Sequence, residues 1–154
     1  MTFDIRDARA SDEGEWRRLW SGYLAFYKAD VASDVTANTW RRILDPSSPV
    51  AMRVAEDHGK LLGFAIHLSH PSSWVMNEDC YLEDLYVDEK TRGAGVGRAL
   101  LDDLIALAER KGWARIYWHT NEDNDRARRL YDSYVKTDGH VRYRMKLPRS
   151  QPAS

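Results

Sequence analysis

The sequence predicts an α/β fold: a single three-layer α/β/α domain around a mixed sheet. Two observations carry this. The apolar runs 50–56 and 61–68 flank the turn Asp57-His58-Gly59-Lys60, which reads as an antiparallel hairpin. Strand-like runs at 80–88 and 115–120 then alternate with stretches of helical period, as strands joined by crossover helices do.

The elements follow in order. Phe3-Asp4-Ile5-Arg6 alternates and reads as a first strand. Ser11 is the expected N-cap of a helix from Asp12 to about Tyr27, with acidic residues in its first turn. Trp16, Leu19, Trp20, Tyr23 and Tyr27 share one face of it. A second helix is expected from Val35 to Leu44, stopping before Pro46. After the hairpin, residues 69–78 make a loop containing Pro71 and Trp74. The strand at 80–88 leads through a glycine-rich turn into a helix ending at Lys111, with Gly112 as its stop. Following the strand to Thr120, Asn124 or Asp125 caps a short helix bearing Ala127, Leu130, Tyr131 and Tyr134 on its inner face. Val141 to Leu147 is expected to be a last strand. Residues 1–148 form one expected domain and 149–154 a disordered tail.

The 154 residues suffice for one core, and the net charge of −1 sets up no bulk field toward nucleic acid or an anionic membrane. No apolar run approaches the ~20 residues of a membrane span. The single cysteine, Cys80, excludes an intramolecular disulfide and fits a reducing cytosol. Met1 to Asp7 lacks an apolar leader segment, so a cytoplasmic location is expected. Neither nucleic acid nor membrane is an expected partner, and no metal is expected.

The most informative stretch is Arg92-Gly93-Ala94-Gly95-Val96-Gly97-Arg98, between a strand and a helix. Such a turn exposes backbone N–H groups at the positive end of a helix dipole, and its glycines let a phosphate approach closely. A Walker loop needs Gly-Lys-Ser/Thr, but Arg98-Ala99 follows Gly97. A dinucleotide fingerprint needs Gly-x-Gly-x-x-Gly and an acidic residue ~20 positions on, where Tyr117 and Trp118 stand instead. A third candidate is coenzyme A.

Arg92-x-x-Gly95-x-Gly97 fits the Arg/Gln-x-x-Gly-x-Gly/Ala loop of the GCN5-related N-acetyltransferases (GNAT), and the chain resembles that family over roughly residues 3–147. Asp84-Leu85-Tyr86-Val87-Asp88 before the loop and Asn124-x-x-Ala127-x-x-Leu130-Tyr131 after it fit in order. Tyr81-Leu82-Glu83-Asp84-Leu85 looks like the strand of diamine acetyltransferases. The first helix and Tyr117-Trp118-His119-Thr120 look like histone acetyltransferases that also accept polyamines. One departure stands out: the run after Leu130-Tyr131 lacks the Gly-Phe that family members often carry.

The resemblance implies a GNAT-type fold with a splayed central sheet, acetyl-CoA as co-substrate, and direct transfer of acetyl to a primary amine. The acceptor would be a polyamine, a lysine-like amine or a basic protein tail, and the enzyme a homodimer. It implies that Arg92, Gly93, Ala94, Gly95, Val96, Gly97 and Arg98 hold the pyrophosphate. Leu85, Tyr86 and Val87 would pair with pantetheine, with Asn124 and Tyr131 also contacting the cofactor. Glu83 is the expected base or water relay for the ammonium, and Tyr131 the proton donor to the departing thiolate. Tyr23, Tyr27, Trp74, Glu78 and Glu83 are the expected acceptor contacts. Asp84 falls on the opposite face from Glu83 in a regular strand, and a bulge would alter that. His119 reads as structural. The other reading of the same fold is a non-catalytic module that binds or senses acyl-CoA.

Overall fold

The computed structural model describes residues 2–149. Except for Arg149, the expected disordered tail lies outside the described residues. The chain divides into two compact units, Met1–His119 and Thr120–Ser154.

The first unit holds strands β1 (Asp4–Asp7), β2 (Val50–Asp57), β3 (Lys60–Pro71), β4 (Glu78–Val87) and β5 (Arg115–Trp118), and helices α1 (Glu13–Phe26), α2 (Ser33–Leu44) and α3 (Val96–Lys111). The sheet order follows the chain, β1-β2-β3-β4-β5. The first three pairings are antiparallel and β4–β5 is parallel. The expected mixed sheet is therefore present.

Alternation along β3 separates the two faces. Phe64 and Ile66 join Trp16, Leu19, Trp40, Met52 and Val54 in the core beneath α1 and α2. Gly63 meets Val96 and Leu100 of α3 on the other side. Trp16 is fully buried and stacks between Trp20 at 5.3 Å and Trp40 at 5.2 Å, so the first helix's aromatic face is largely core. The cap of that helix differs from expectation. Asp12, not Ser11, is its N-cap residue, reached through a 3-10 turn at Ala10–Asp12. The Asp12 side chain does not bond the first turn of α1 but turns back, accepting from the Arg9 N–H at 2.9 Å and from Nη1 and Nη2 of Arg6 at 2.8 Å each, an arrangement a serine hydroxyl cannot match.

Two irregularities shape the centre of the sheet. Ile66 pairs with Asp84 but His67 pairs with Leu82, so Glu83 is an extra residue, a β-bulge. Leu82 lies with His67 on the α3 face, whereas Asp84 and Tyr86 lie with Ile66 and Phe64 on the α1 face. The β4–β5 ladder covers only Asp79–Leu82 and Arg115–Trp118, while β4 continues to Val87 with no ladder partner on that side among the described residues. The splayed edge implied by the resemblance is thus a feature of this sheet.

The second unit contains α4 (Asp125–Asp132). Asn124 caps it: its side-chain oxygen accepts from the Ala127 N–H at 3.3 Å, and its amide donates to the Thr120 hydroxyl at 3.2 Å. The strand expected at Val141–Leu147 is not formed. The alternating pattern is present, with Val141, Tyr143, Met145 and Leu147 all exposed. Among the described residues the segment has no ladder partner, and alternation alone does not hold an extended chain in a sheet. No described helix is long and apolar enough to cross a membrane.

Candidate active site

The glycine turn joins β4 to α3. Gly93 has φ +90° and Gly95 φ +82°, left-handed values that favour glycine, and a Cβ added at either would meet nothing within 4 Å. The backbone therefore faces open space at the N-terminus of a 16-residue helix, the positive end of its dipole. This fits a pyrophosphate. The unpaired β4 edge beyond Leu82 fits an arm carrying amide groups. Arg92 folds back: its guanidinium lies 5.4 Å from the Phe26 ring and 5.7 Å from the Tyr86 ring. Those rings also line a cavity of about 360 Å³ between α1 and the segment after β4, with Arg18, Gly22 and Asp88.

At the bulge Glu83 is exposed. Asp84, beside it, is mostly buried, and the Tyr23 hydroxyl donates to its carboxylate at 2.6 Å. Burial pushes the Asp84 carboxyl up to about 6; the Tyr23 hydrogen bond opposes this and the Glu83 charge adds to it. Burial, with the Asp84 carboxylate beside it, also raises the Tyr23 phenol well above its usual value. Tyr23 meets Tyr27 edge-on at 5.0 Å. Of the residues expected at the acceptor, Tyr23 and Glu83 thus lie beside Asp84, with Tyr27 packed behind Tyr23. Trp74 is 84% exposed in the loop before β4. Alternation places Glu78 on the α3 face, away from this group. The bulge therefore lets Tyr81 and Asp84, three positions apart, share the face toward α1, where Tyr23 meets the Asp84 carboxylate.

Buried Cys80 has its thiol pushed up to about 12 by burial, which leaves it a poor nucleophile. Sequence reasoning did not single out the cluster on the α1 face toward β5: Tyr81, Tyr117, His70 and His119. Tyr81 and Tyr117 are stacked at 4.9 Å, and His70 shares a 2.7 Å hydrogen bond with the Tyr117 hydroxyl. The registers of β3 on β4 and of β4 on β5 together bring them into one group, and those registers leave no mark in sequence. In the second unit, Asn124 performs its capping role and Tyr131 lies in the last turn of α4.

Comparison with known proteins supplies the rest. The Acetyltransferase (GNAT) family matches over residues 12–134. The D-amino-acid N-acetyltransferase HPA3 of Saccharomyces cerevisiae is 35% identical over 137 residues, covering 87% of this chain and 85% of its own. A thialysine N-epsilon-acetyltransferase of Caenorhabditis elegans is 37% identical over 79 residues, 48% of this chain and 49% of its own. The solved structure of AAC(6')-Iy, in complex with the bisubstrate analog CoA-S-monomethyl-acetylneamine, superposes with TM-score 0.80 at 19% identity. It covers 95% of this chain and 99% of that one.

Proposed function

The chain belongs to the acetyltransferase (GNAT) family, and from that premise we propose that it transfers acetyl from acetyl-CoA directly to a small primary amine in a ternary complex. The observation that carries this reading is the edge of β4 that has no ladder partner among the described residues, running from the bulge at Glu83 to Val87 and followed, after one 3-10 turn, by the glycine turn. Residues 1–148 act as one acetyltransferase domain.

When bound, acetyl-CoA supplies an acyl group activated as a thioester. Backbone N–H groups of Arg92 to Arg98 hold its pyrophosphate, and the backbone of Leu85, Tyr86 and Val87 pairs with its pantetheine amides. An N–H at Leu85 or Tyr86 polarises the thioester carbonyl. An alkyl ammonium with a pKa near ~10.4 is almost wholly protonated at neutral pH, so a base is required. Glu83 takes up that proton, directly or through water. Tyr131 donates a proton to the departing sulfur, and Asn124 orients the cofactor while capping α4. The test is CoA release from an amine panel spanning polyamines, lysine analogues, amino acids and a basic peptide. Tyr131→Phe is expected to lower kcat and lose the alkaline limb of the pH profile. An unchanged kcat and profile would remove Tyr131 from this role.

One observation favours a second assignment of the base: the Asp84 carboxyl, hydrogen-bonded by Tyr23, is held near the working range, at about 6. Asp84→Asn then removes the acid limb of the kcat/KM profile while Glu83→Gln keeps it; the reverse pattern returns the role to Glu83.

The active species is a homodimer in the cytoplasm. The exposed alternating run Val141, Tyr143, Met145 and Leu147 supports the dimer, since a second copy offers it a ladder and a cover. Sedimentation of the full chain and of a Tyr143→Glu variant checks it; a monomeric wild type would refute it.

A further inference from the structure

The aromatic cluster on the α1 face has a chemistry that the acetyl-transfer reading does not use. Tyr81 of β4 and Tyr117 of β5 lie 13° from parallel with centroids 4.9 Å apart. His119 stands edge-on to both, at 5.5 Å and 6.0 Å. His70 lies edge-on to Tyr117 at 5.7 Å and is hydrogen-bonded to its hydroxyl. Tyr117 is 36% exposed, and it lies on the edge strand of the sheet. Along β4, Tyr81 precedes Asp84 on the same face by about 7–10 Å, the span of a small side chain.

The charges around this platform narrow its occupant. Asp79, the carboxylate paired across from Arg115 on this face, is held by the Arg115 guanidinium at 2.7 Å, so its charge is already met. Glu78 lies on the opposite face by alternation. The two histidines contribute no negative charge. On β4 and β5 the carboxylates left to receive an ammonium are Glu83 and Asp84, at the bulge. The far ammonium of a polyamine would find no further carboxylate on these two strands, whereas a flat uncharged ring extends an existing stack.

We propose that Tyr81 and Tyr117, edged by His70 and His119, form the specificity subsite for a planar aromatic group on the acceptor. The preferred acceptors are then aromatic monoamines, with the amine at the Glu83–Asp84 end and the ring on the tyrosines. This rests on the acetyltransferase reading above.

The experiment measures CoA release from acetyl-CoA with phenethylamine, n-hexylamine and spermidine for the wild-type chain, Tyr117→Leu and Tyr117→Phe. Thermal melts of each variant confirm folding. In the wild type, kcat/KM for phenethylamine is expected to exceed that for both aliphatic amines by about tenfold. Tyr117→Leu is expected to reduce the phenethylamine-to-hexylamine ratio about tenfold through KM, and Tyr117→Phe to retain it. Turnover with spermidine or hexylamine preferred, or a ratio unmoved by Tyr117→Leu, overturns the subsite and leaves the acetyltransferase reading intact. Bound acetyl-CoA with no release for any amine overturns both.

Discussion

His67 sets an acid limit on the stability of this fold. Its ring is 3% exposed, on the α3 face of β3, 6.0 Å from the Trp113 ring, and neither nitrogen has a hydrogen-bond partner among the described residues. Burial pushes it from 6.5 down to about 4; the Asp7 and Asp103 charges oppose that fall and the Arg53 charge adds to it. Above pH 6.5 both folded and unfolded imidazoles are neutral and the residue adds no pH-dependent term. As pH falls, the unfolded chain binds a proton that the folded chain refuses until about 4, so stability drops across that window. Between about pH 7.5 and about pH 4.5 the loss is about 2.5 kcal/mol. Asp84 acts with the opposite sign. Its folded carboxyl titrates at about 6 against 3.8 unfolded, so its contribution is full below 3.8 and lost as pH rises through 6. Over the same interval, acidification returns about 2 kcal/mol. The wild type therefore conceals both effects, and single variants expose them. Urea unfolding followed by tryptophan fluorescence is the assay. His67→Leu should be more stable than wild type at about pH 4.5 by about 2.5 kcal/mol beyond any difference at about pH 7.5. If the variant and wild type keep the same difference at both pH values, the reasoning about His67 is wrong.

Other substitutions test the packing and the turn. Gly63→Ala places a Cβ 2.7 Å from the Tyr86 carbonyl oxygen, a backbone atom pinned in the sheet, so a loss of about 2–3 kcal/mol in urea unfolding is expected. Gly22→Ala meets the Tyr86 hydroxyl at 2.6 Å, but that is the tip of a side chain able to swing aside, and about 1 kcal/mol is expected by the same measurement. Gly95→Ala has room for its Cβ but must hold φ +82°. It should cost about 1 kcal/mol and raise the KM for acetyl-CoA more than it lowers kcat. Asn124→Ala removes the cap of α4, and about 1 kcal/mol is expected from thermal unfolding.

What was legible in the sequence was local. The hairpin around His58-Gly59, the stop at Gly112 and the cap at Asn124 are each written in one or two residues, and each is present. The glycine turn was legible because left-handed backbone needs glycine wherever it occurs. Pairing was not legible. Val141 to Leu147 alternates as well as any strand in the chain, yet a strand depends on the partner that takes its hydrogen bonds. The Asp84–Tyr23 pair was hidden for a related reason: which side of β4 faces α1 depends on the register with β3, and the bulge that sets it carries no glycine or proline to announce it.

The bulge also bears on how this chain tolerates change. With Glu83 present, β4 switches parity midway: its even positions meet α3 before the bulge and α1 after it. A substitution at Glu83 changes one exposed side chain. A deletion there sets Asp84 directly after Leu82, opposite the adjacent pair His67 and Ile66, and turns the bulge into a regular ladder. Asp84 and Tyr86 then stay on the α1 face and Leu85 on the α3 face. What disappears is the exposed side chain of Glu83 and the local bend of the strand. Position 83 should therefore tolerate deletion for folding, and its loss should be felt only in what the Glu83 side chain contributes.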